Sequence, residues 1–316
     1  MYVADLHCDT VSAIYYDRKN GGQANLLSNH FQLDLNRMKK GGYLLQNFAV
    51  FVDLKNGGDP YRCAKRQIAV FKGELAKYPD KIRQATTVED ILKNQKEGRI
   101  SAVLTLEEGE VCLGDENTLE EFYRDGVRMM TFTWNYPNSL ATEEGLTSKG
   151  VLFLEKMQEI GIIPDVSHLP RAGFYDVCRY AKRPFVASHS NAAALCGHKR
   201  NLTDDMVRKI AERGGVIGIN YYGLFLVEKP ENGIYYSSVG RIADHICHMV
   251  NVGGTGCVGL GSDFDGIDCN LELSDCSKMG LLEQELKKRG FGEKEIGDIF
   301  YRNVLRIYKE SFKFSG

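Results

Sequence analysis

Residues 203–220, TDDMVRKIAERGGVIGIN, contain one complete helix-to-strand unit that sets the pattern for the rest of the chain. Thr203 is a residue type that caps helices, and Asp204 and Asp205 place negative charge in the first turn, where the helix dipole favours it. Gly214 follows the helical pattern as a glycine C-cap, and the apolar run after it predicts a strand. A helix that leads through a short connection into such a strand is typical of α/β proteins.

The same alternation of short apolar runs and helical patterns extends outward from this unit in both directions. We predict strands at residues 2–7, 44–52, 101–106, 128–133, 162–166, 185–188, 215–220 and 257–261. Two further helical patterns, at residues 281–289 and 293–312, are expected to pack outside the barrel that the strands form. Repeated βα units predict an α/β fold class, a single (β/α)8 TIM-type barrel spanning residues 1–316 with extra C-terminal helices. Its active site is expected at the carboxyl ends of the strands.

The composition is that of an ordinary globular protein and disfavours several classes of partner. The 316 residues carry 40 Lys and Arg against 42 Asp and Glu, a net charge of −2 that favours binding to neither nucleic acid nor an acidic membrane. No apolar run is long enough to predict a membrane span, and the N-terminus lacks the pattern of a signal peptide. We therefore expect a cytoplasmic protein. Its nine cysteines include no C-x-x-C pair and are expected to be reduced.

The residues that could bind metal or transfer protons fall at the ends of predicted strands: His7, Asp9, Glu107, His168, His189 and Asp263. In the sequence His7-Cys8-Asp9 the two polar side chains are at i and i+2, so an extended strand directs both to one side. Taken singly, each of these motifs has an ordinary structural explanation. Their joint occurrence at the predicted mouth of one barrel favours a shared site.

Three imidazoles and two or three carboxylates form a ligand set that suits zinc, or manganese or iron, better than calcium or magnesium. Five ligands exceed what one catalytic zinc with an open position needs, which favours two ions bridged by a carboxylate and sharing a water or hydroxide. Glu108 is expected to be exposed to solvent. His245 and His248, at i and i+3 of a predicted helix, are expected on its outer surface.

These residues resemble those of the membrane (renal) dipeptidase family, peptidase family M19 of the metal-dependent amidohydrolase superfamily. The resemblance rests on spaced motifs: His7-x-Asp9, the segment around Glu107, Val166-Ser167-His168, Ser188-His189-Ser190, Arg200-Asn201 and Gly261-Ser262-Asp263-Phe264-Asp265-Gly266. The gaps of 21 residues from His168 to His189 and of 11 from His189 to Arg200 also look like the family's spacing.

The resemblance implies a two-zinc hydrolase of dipeptides that tolerates a D-residue on the C-terminal side. It implies that one zinc binds to His7 and Asp9 and the other to His168 and His189, with Glu107 bridging them. Asp263 would accept the proton of the attacking water and pass it to the leaving amine. Arg200 would bind the free carboxylate of the substrate. The resemblance also suggests a homodimer.

The sequence departs from the family pattern in two places. Where mammalian members have a substrate-contacting histidine near the end of the fourth strand, this chain has Trp134 and Asn135, which we expect to contact the substrate instead. Glu107-Glu108-Gly109 stands where Glu-Gly-Gly is usual, so the bridging role of Glu107 is an expectation to test.

Two other functions stay open at this stage. The same barrel could act on a cyclic amide, a lactone or a phosphoester, for which a carboxylate clamp at Arg200 is of no use. Alternatively, the chain could bind metal without catalysis, since a fold does not guarantee an activity.

Overall fold

Eight parallel strands close into a barrel at the centre of the structure, a computed structural model that describes residues 1–230 and 232–312. The barrel strands are β1 (Val3–Asp5), β2 (Tyr43–Phe51), β3 (Ile100–Glu107), β4 (Val127–Thr131), β5 (Ile163–Asp165), β6 (Val186–Ala187), β7 (Val216–Ile219) and β8 (Val258–Leu260). Around the barrel their order is β2-β1-β8-β7-β6-β5-β4-β3, and pairing of β3 with β2 closes the ring. The predicted (β/α)8 barrel is confirmed, and each predicted strand overlaps an observed one. The assignment of residues 1–316 to one domain stays a prediction, and residues 313–316 lie outside the described part.

Helices surround the barrel and connect its strands. They are α1 (Thr10–Lys19), α2 (Leu35–Gly41), α3 (Pro60–Lys77), α4 (Val88–Lys96), α5 (Glu116–Asp125), α6 (Ser148–Ile160), α7 (Arg171–Tyr180), α8 (Asp204–Glu212), α9 (Gly223–Leu226), α10 (Val239–Gly253), α11 (Met279–Lys288), α12 (Glu293–Gly297) and α13 (Asn303–Phe312). Thr203 caps α8 by accepting a hydrogen bond from the backbone N–H of Met206. Local capping chemistry therefore fixes where this helix begins, as the sequence predicts.

Short strands and 3-10 turns lie between the main elements. Strand Ile82–Gln84 pairs with the start of β3, Ala141–Thr142 pairs with Gly145–Leu146, and Tyr236–Ser237 pairs with Asn270–Leu271. Single 3-10 turns lie at Leu54–Asn56, Gly109–Cys112, Thr255–Cys257 and Cys276–Lys278. Among the described residues, no helix combines the length and the apolar character that crossing a membrane requires.

The C-terminal helices differ in where they pack. Helix α11 lies against α10 on the outside of the barrel, as predicted. The second predicted helix is divided by a π-helical segment, Asp298–Arg302, and its last part, α13, covers the amino-terminal end of the barrel. There Ile307 and Tyr308 pack against side chains from the strand starts, such as Val216. The expectation that both segments pack outside the barrel is therefore wrong for α13, whose apolar face is buried against the inner residues of the strands.

Candidate metal centre

The six strand-end residues of the sequence prediction converge at the carboxyl end of the barrel. They follow or end five different strands: His7 and Asp9 come after β1, Glu107 ends β3, His168 follows β5, His189 follows β6 and Asp263 follows β8. Two groups of residues bring their potential ligand atoms together, and within each group these atoms all lie within 4.8 Å of one another. One group is His7, Glu107 and His189, and the other is His7, Asp9 and Asp263.

Glu107 stands between two sets of imidazoles. Its Oε1 atom lies 3.0 Å from His168 Nε2 and 3.6 Å from His189 Nε2. Its Oε2 atom lies 3.3 Å from His7 Nε2. The two carboxylate oxygens therefore face different histidines, which is the arrangement that a carboxylate shared between two cations requires.

The His7 side of the site is rich in carboxylates. His7 Nε2 lies 3.3 Å from Asp9 Oδ2 and 3.8 Å from Asp263 Oδ1. Both His7 Nε2 and Asp9 Oδ1 are buried and have no hydrogen-bond partner. Burial alone lowers the pKa of His7, yet the neighbouring carboxylates of Glu107 and Asp9 raise it well above its ordinary value. Buried carboxylates clustered in this way need a bound proton or cation to neutralise their charge.

The tautomers of His168 and His189 can be assigned from their hydrogen bonds. His168 Nδ1 lies 3.0 Å from Asn135 Oδ1, an amide oxygen that can only accept a hydrogen bond, so this ring nitrogen carries the proton. Ser188 donates its own proton to Asp165, so its Oγ atom, 2.8 Å from His189 Nδ1, accepts from that nitrogen. Burial lowers the pKa of His168 to about 3 and that of His189 well below its ordinary value, so both rings are neutral.

The two Nε2 atoms of these rings consequently present lone pairs to each other at 2.9 Å. Lone pairs at this distance repel unless a cation attracts both, and neutral imidazole is the form that binds metal. Together with Oε1 of Glu107, the residues fit a metal ion on this side of the site as well.

Unusual backbone conformations accompany the site. His168, with φ 67°, and Asp263, with φ 62°, occupy the left-handed region that non-glycine residues seldom adopt. Gly266 comes so close that a Cβ atom there would lie 2.2 Å from Asp9 Oδ2. Strained backbone of this kind is typical of functional sites, where the surrounding structure holds it in place.

Glu108 is fully buried, so the prediction that it is exposed to solvent is wrong. Its backbone φ of 117° turns the side chain away from Glu107 and the imidazoles. The carboxylate accepts hydrogen bonds from the backbone N–H of Glu110 at 2.8 Å and of Trp134 at 3.1 Å, and from the side chain of Asn138. Glu108 thus holds the loop after β4, and Glu107 is the acid that faces the histidines.

A cavity of 430 Å³ opens above the ligand atoms and is lined by the carboxylates of Asp9, Glu107 and Asp263 and by Trp134, Asn135 and Arg200. Trp134 is half-buried at the rim, where its ring centroid lies 4.9 Å from that of Phe51. Arg200 is buried, its Nε atom has no partner, and it forms no ion pair with a carboxylate of the described chain. A buried guanidinium without a counter-ion is suited to bind an incoming carboxylate.

Sequence reasoning missed one residue of the site and misplaced a histidine outside it. Asn220 donates a hydrogen bond to Asp263 Oδ2 at 2.8 Å, and it ends the predicted strand at residues 215–220, so its position carried the same signal as the histidines. His245 was expected on an outer surface but is buried. Its Nδ1 atom accepts from the backbone N–H of Ala192, and its Nε2 atom donates to the carbonyl of Leu226. No short-range pattern in the sequence predicts these partners.

A parallel barrel with nitrogen and oxygen donor atoms gathered at its carboxyl end defines the class of metal-dependent barrel hydrolases. Within that class, the chain belongs to the membrane dipeptidase family, peptidase family M19, whose family pattern matches residues 1–315. It is a metallo-dipeptidase of that family.

Similar proteins agree with this assignment. An uncharacterized dipeptidase of Schizosaccharomyces pombe is 30% identical over 319 residues, which cover 94% of this chain and 74% of the relative. The crystal structure of a metallopeptidase of family M19, dipeptidase AC, matches with a TM-score of 0.89 at 25% identity and covers 99% of both chains. A metallopeptidase from Rhodobacter sphaeroides, liganded with a phosphinate mimic of L-Ala-D-Ala, shares the fold with a TM-score of 0.88 at 24% identity, covering 98% of this chain and 99% of that one.

Proposed function

We propose that the protein hydrolyses dipeptides with two zinc ions, one held by His7 and Asp9, the other by His168 and His189, and both by Glu107. The observation that carries this proposal is the position of Glu107, whose two oxygens face opposite sets of imidazoles at 3.0 and 3.3 Å. Imidazole nitrogen and carboxylate oxygen are donor types that zinc binds well. Bound there, the metal would polarise the scissile carbonyl and lower the pKa of the attacking water to about 7.

Asp263 is the proposed proton carrier. Its Oδ2 atom accepts from Asn220, and its Oδ1 atom faces the His7 side of the site, 3.8 Å from His7 Nε2, where it would accept the proton of the attacking water. The same carboxyl group then gives that proton to the departing amine, as one general base and acid. Burial raises the pKa of Asp263 to about 8, and a cation bound nearby would lower it.

Arg200 is the proposed anchor for the free carboxylate of the dipeptide. Its guanidinium forms no ion pair within the described residues and lines the cavity that contains Glu107 and Asp263, and a bidentate pair with a carboxylate would fix the substrate. Trp134 and Asn135, at the rim of the same cavity, are the proposed side walls of the substrate site.

Activity on dipeptides with a C-terminal D-residue is also part of the proposal. It is supported by the family assignment and by the L-Ala-D-Ala mimic bound to the Rhodobacter sphaeroides protein. A cytoplasmic location and a homodimer stay predictions from the sequence.

Elemental analysis of the purified protein, combined with a dipeptide panel that includes D-residues, tests this function. We expect about two zinc ions per chain, as the bridged arrangement requires, and loss of hydrolysis after chelation. Arg200→Met should raise KM for dipeptides sharply, whereas Arg179→Met, at the far end of α7, should leave it unchanged. A fully metallated protein that cleaves no dipeptide but opens a cyclic amide or lactone, or cleaves a phosphoester, would overturn the proposal.

A further inference from the structure

A second cavity, also of 430 Å³, adjoins the metal cavity. The two cavities share a wall made of Trp134, Asn135, His168 and Arg200. A group that binds to Arg200 therefore lies at the junction between the metal cavity and this second space.

The two cavities carry opposite charge. The metal cavity is lined by the acids Asp9, Glu107, Asp263, Asp265 and Asp268, with Arg200 as its cation. The second cavity is lined by the cations Arg171, Lys199 and Arg200, with Glu143 as its acid. A dipeptide has a positive amine at one end and a negative carboxylate at the other, so this field orients it with its C-terminal residue towards the second cavity.

Neither Arg171 nor Lys199 forms an ion pair within the described residues, and both are exposed at the cavity. Arg171 is the first residue of α7, whose N-cap residue, Pro170, supplies no side-chain hydrogen bond. A cation at a helix N-terminus is unfavourable with respect to the helix dipole, so helix stability does not explain Arg171. The uncapped helix start, the unpaired cations and the buried, unpartnered Nε of Arg200 all favour an anion in this space.

The cavity is larger than a backbone carboxylate needs. A carboxylate displaces only a few waters, each with a share of about 30 Å³ in the liquid, so 430 Å³ also has room for a side chain. One free carboxylate occupies Arg200, which leaves Arg171 and Lys199 for a second negative group.

From these observations we propose that the second cavity is the subsite for the C-terminal residue and that Arg171 and Lys199 select dipeptides with an acidic residue there. This proposal rests on the proposed dipeptidase function. It names the substrate class as dipeptides ending in Asp or Glu.

Comparing alanyl dipeptides that end in Glu, Gln, Ala or Lys, each in the L- and D-form, tests the proposal. We expect kcat/KM for the Glu substrate to exceed that for Gln by about tenfold, through KM, since hydrogen bonds to a charged group add this much affinity. The advantage should shrink at high salt, because exposed cations are screened.

Lys199→Gln and Arg171→Gln should each reduce the preference for Glu over Gln, and the double variant should abolish it. On the Ala substrate all three should lose less kcat/KM than on the Glu substrate, because the alanine side chain has no charge for Arg171 or Lys199 to bind. Arg179→Gln is the matched control, a cation lost from the other end of the same helix. Thermal unfolding of each variant verifies that it is folded.

The outcomes separate the two proposals. Equal kcat/KM for Glu and Gln substrates, or a preference that survives the double variant, overturns the acidic subsite and leaves the dipeptidase function standing. Absence of turnover on every dipeptide by the zinc-loaded protein overturns both.

Discussion

The two ends of the barrel are built from the same eight strands yet meet opposite requirements. At the amino-terminal end, α13 covers the barrel with apolar side chains. One buried polar pair between α13 and the barrel is satisfied, since the Tyr308 hydroxyl donates to Asn47 Oδ1 at 2.6 Å. At the carboxyl end, buried atoms of His7 and Asp9 lack partners and two imidazole lone pairs face each other. The comparison teaches that the closed end supplies stability, whereas the open end gives up internal bonding so that it can bind cations and substrate.

Glu107→Gln tests the open end of the barrel and is expected to have the largest effect on activity. An amide cannot supply two anionic oxygens, so the variant should lose at least one metal ion. We expect kcat/KM to fall by about 10³-fold. This corresponds to the loss of several kcal/mol of transition-state stabilisation, which the metal would supply. Steady-state kinetics and elemental analysis of the same preparation measure both effects.

The stability of that variant provides the second half of the test. With metal removed by chelation, Glu107→Gln should unfold at a lower temperature than the chelated wild type. Burial raises the pKa of the Glu107 carboxyl, but His7 and His168 beside it lower that pKa well below its ordinary value, so the charged carboxylate stabilises the metal-free fold. A variant that keeps both metals and wild-type kcat/KM would contradict the bridging role of Glu107.

Ile307→Ala probes the closed end. Ile307 is fully buried between α13 and the barrel interior, so its truncation should lower the free energy of unfolding by about 3 kcal/mol. Metal content and kcat/KM should stay at wild-type values. Ile234→Ala, at a residue that is 50% exposed, is the matched control and should change stability by less than about 0.5 kcal/mol. A loss of kcat/KM in folded Ile307→Ala would break the division between the two ends.

His245 makes the open end sensitive to pH. Burial lowers its pKa from 6.5 to about 4, so the unfolded chain binds a proton between these values and the folded chain does not. Stability is therefore fully present above pH 6.5 and falls as the pH drops towards 4. From pH 7.5 to 5 this group alone should cost about 2 kcal/mol.

Chemical denaturation of His245→Gln at both pH values isolates that contribution. The glutamine amide can accept from Ala192 and donate to Leu226, as the imidazole does. The loss of stability on acidification should be about 2 kcal/mol smaller than in the wild type. His30→Gln, at an exposed site, should not alter it. An unchanged pH dependence in His245→Gln would show that the buried imidazole is not responsible.

The sequence predicts those features of the fold and site that depend on local or generic rules, but not those that depend on contacts between residues far apart in the chain. The strands and the strand-end positions of residues such as His189 could be predicted, because periodicity and barrel geometry are local or generic rules. The burial of Glu108 could not, since it depends on a positive φ and on partners from the loop after β4. The covering role of α13 could not either, because an apolar helix face does not specify which end of a barrel it meets.

Asn135 gives the smallest expected effect and tests whether the open end is organised beyond its ligands. Its side-chain oxygen fixes the tautomer of His168, so Asn135→Ala should weaken zinc binding by about tenfold, the usual effect of losing a partner that orients a ligand. Competition with a chelator measures this affinity without reference to turnover. Asn135→Asp keeps an acceptor for His168 Nδ1 and should bind zinc at least as tightly as the wild type. Equal affinities in the alanine variant and the wild type would mean that His168 is held by the metal and by Glu107 alone.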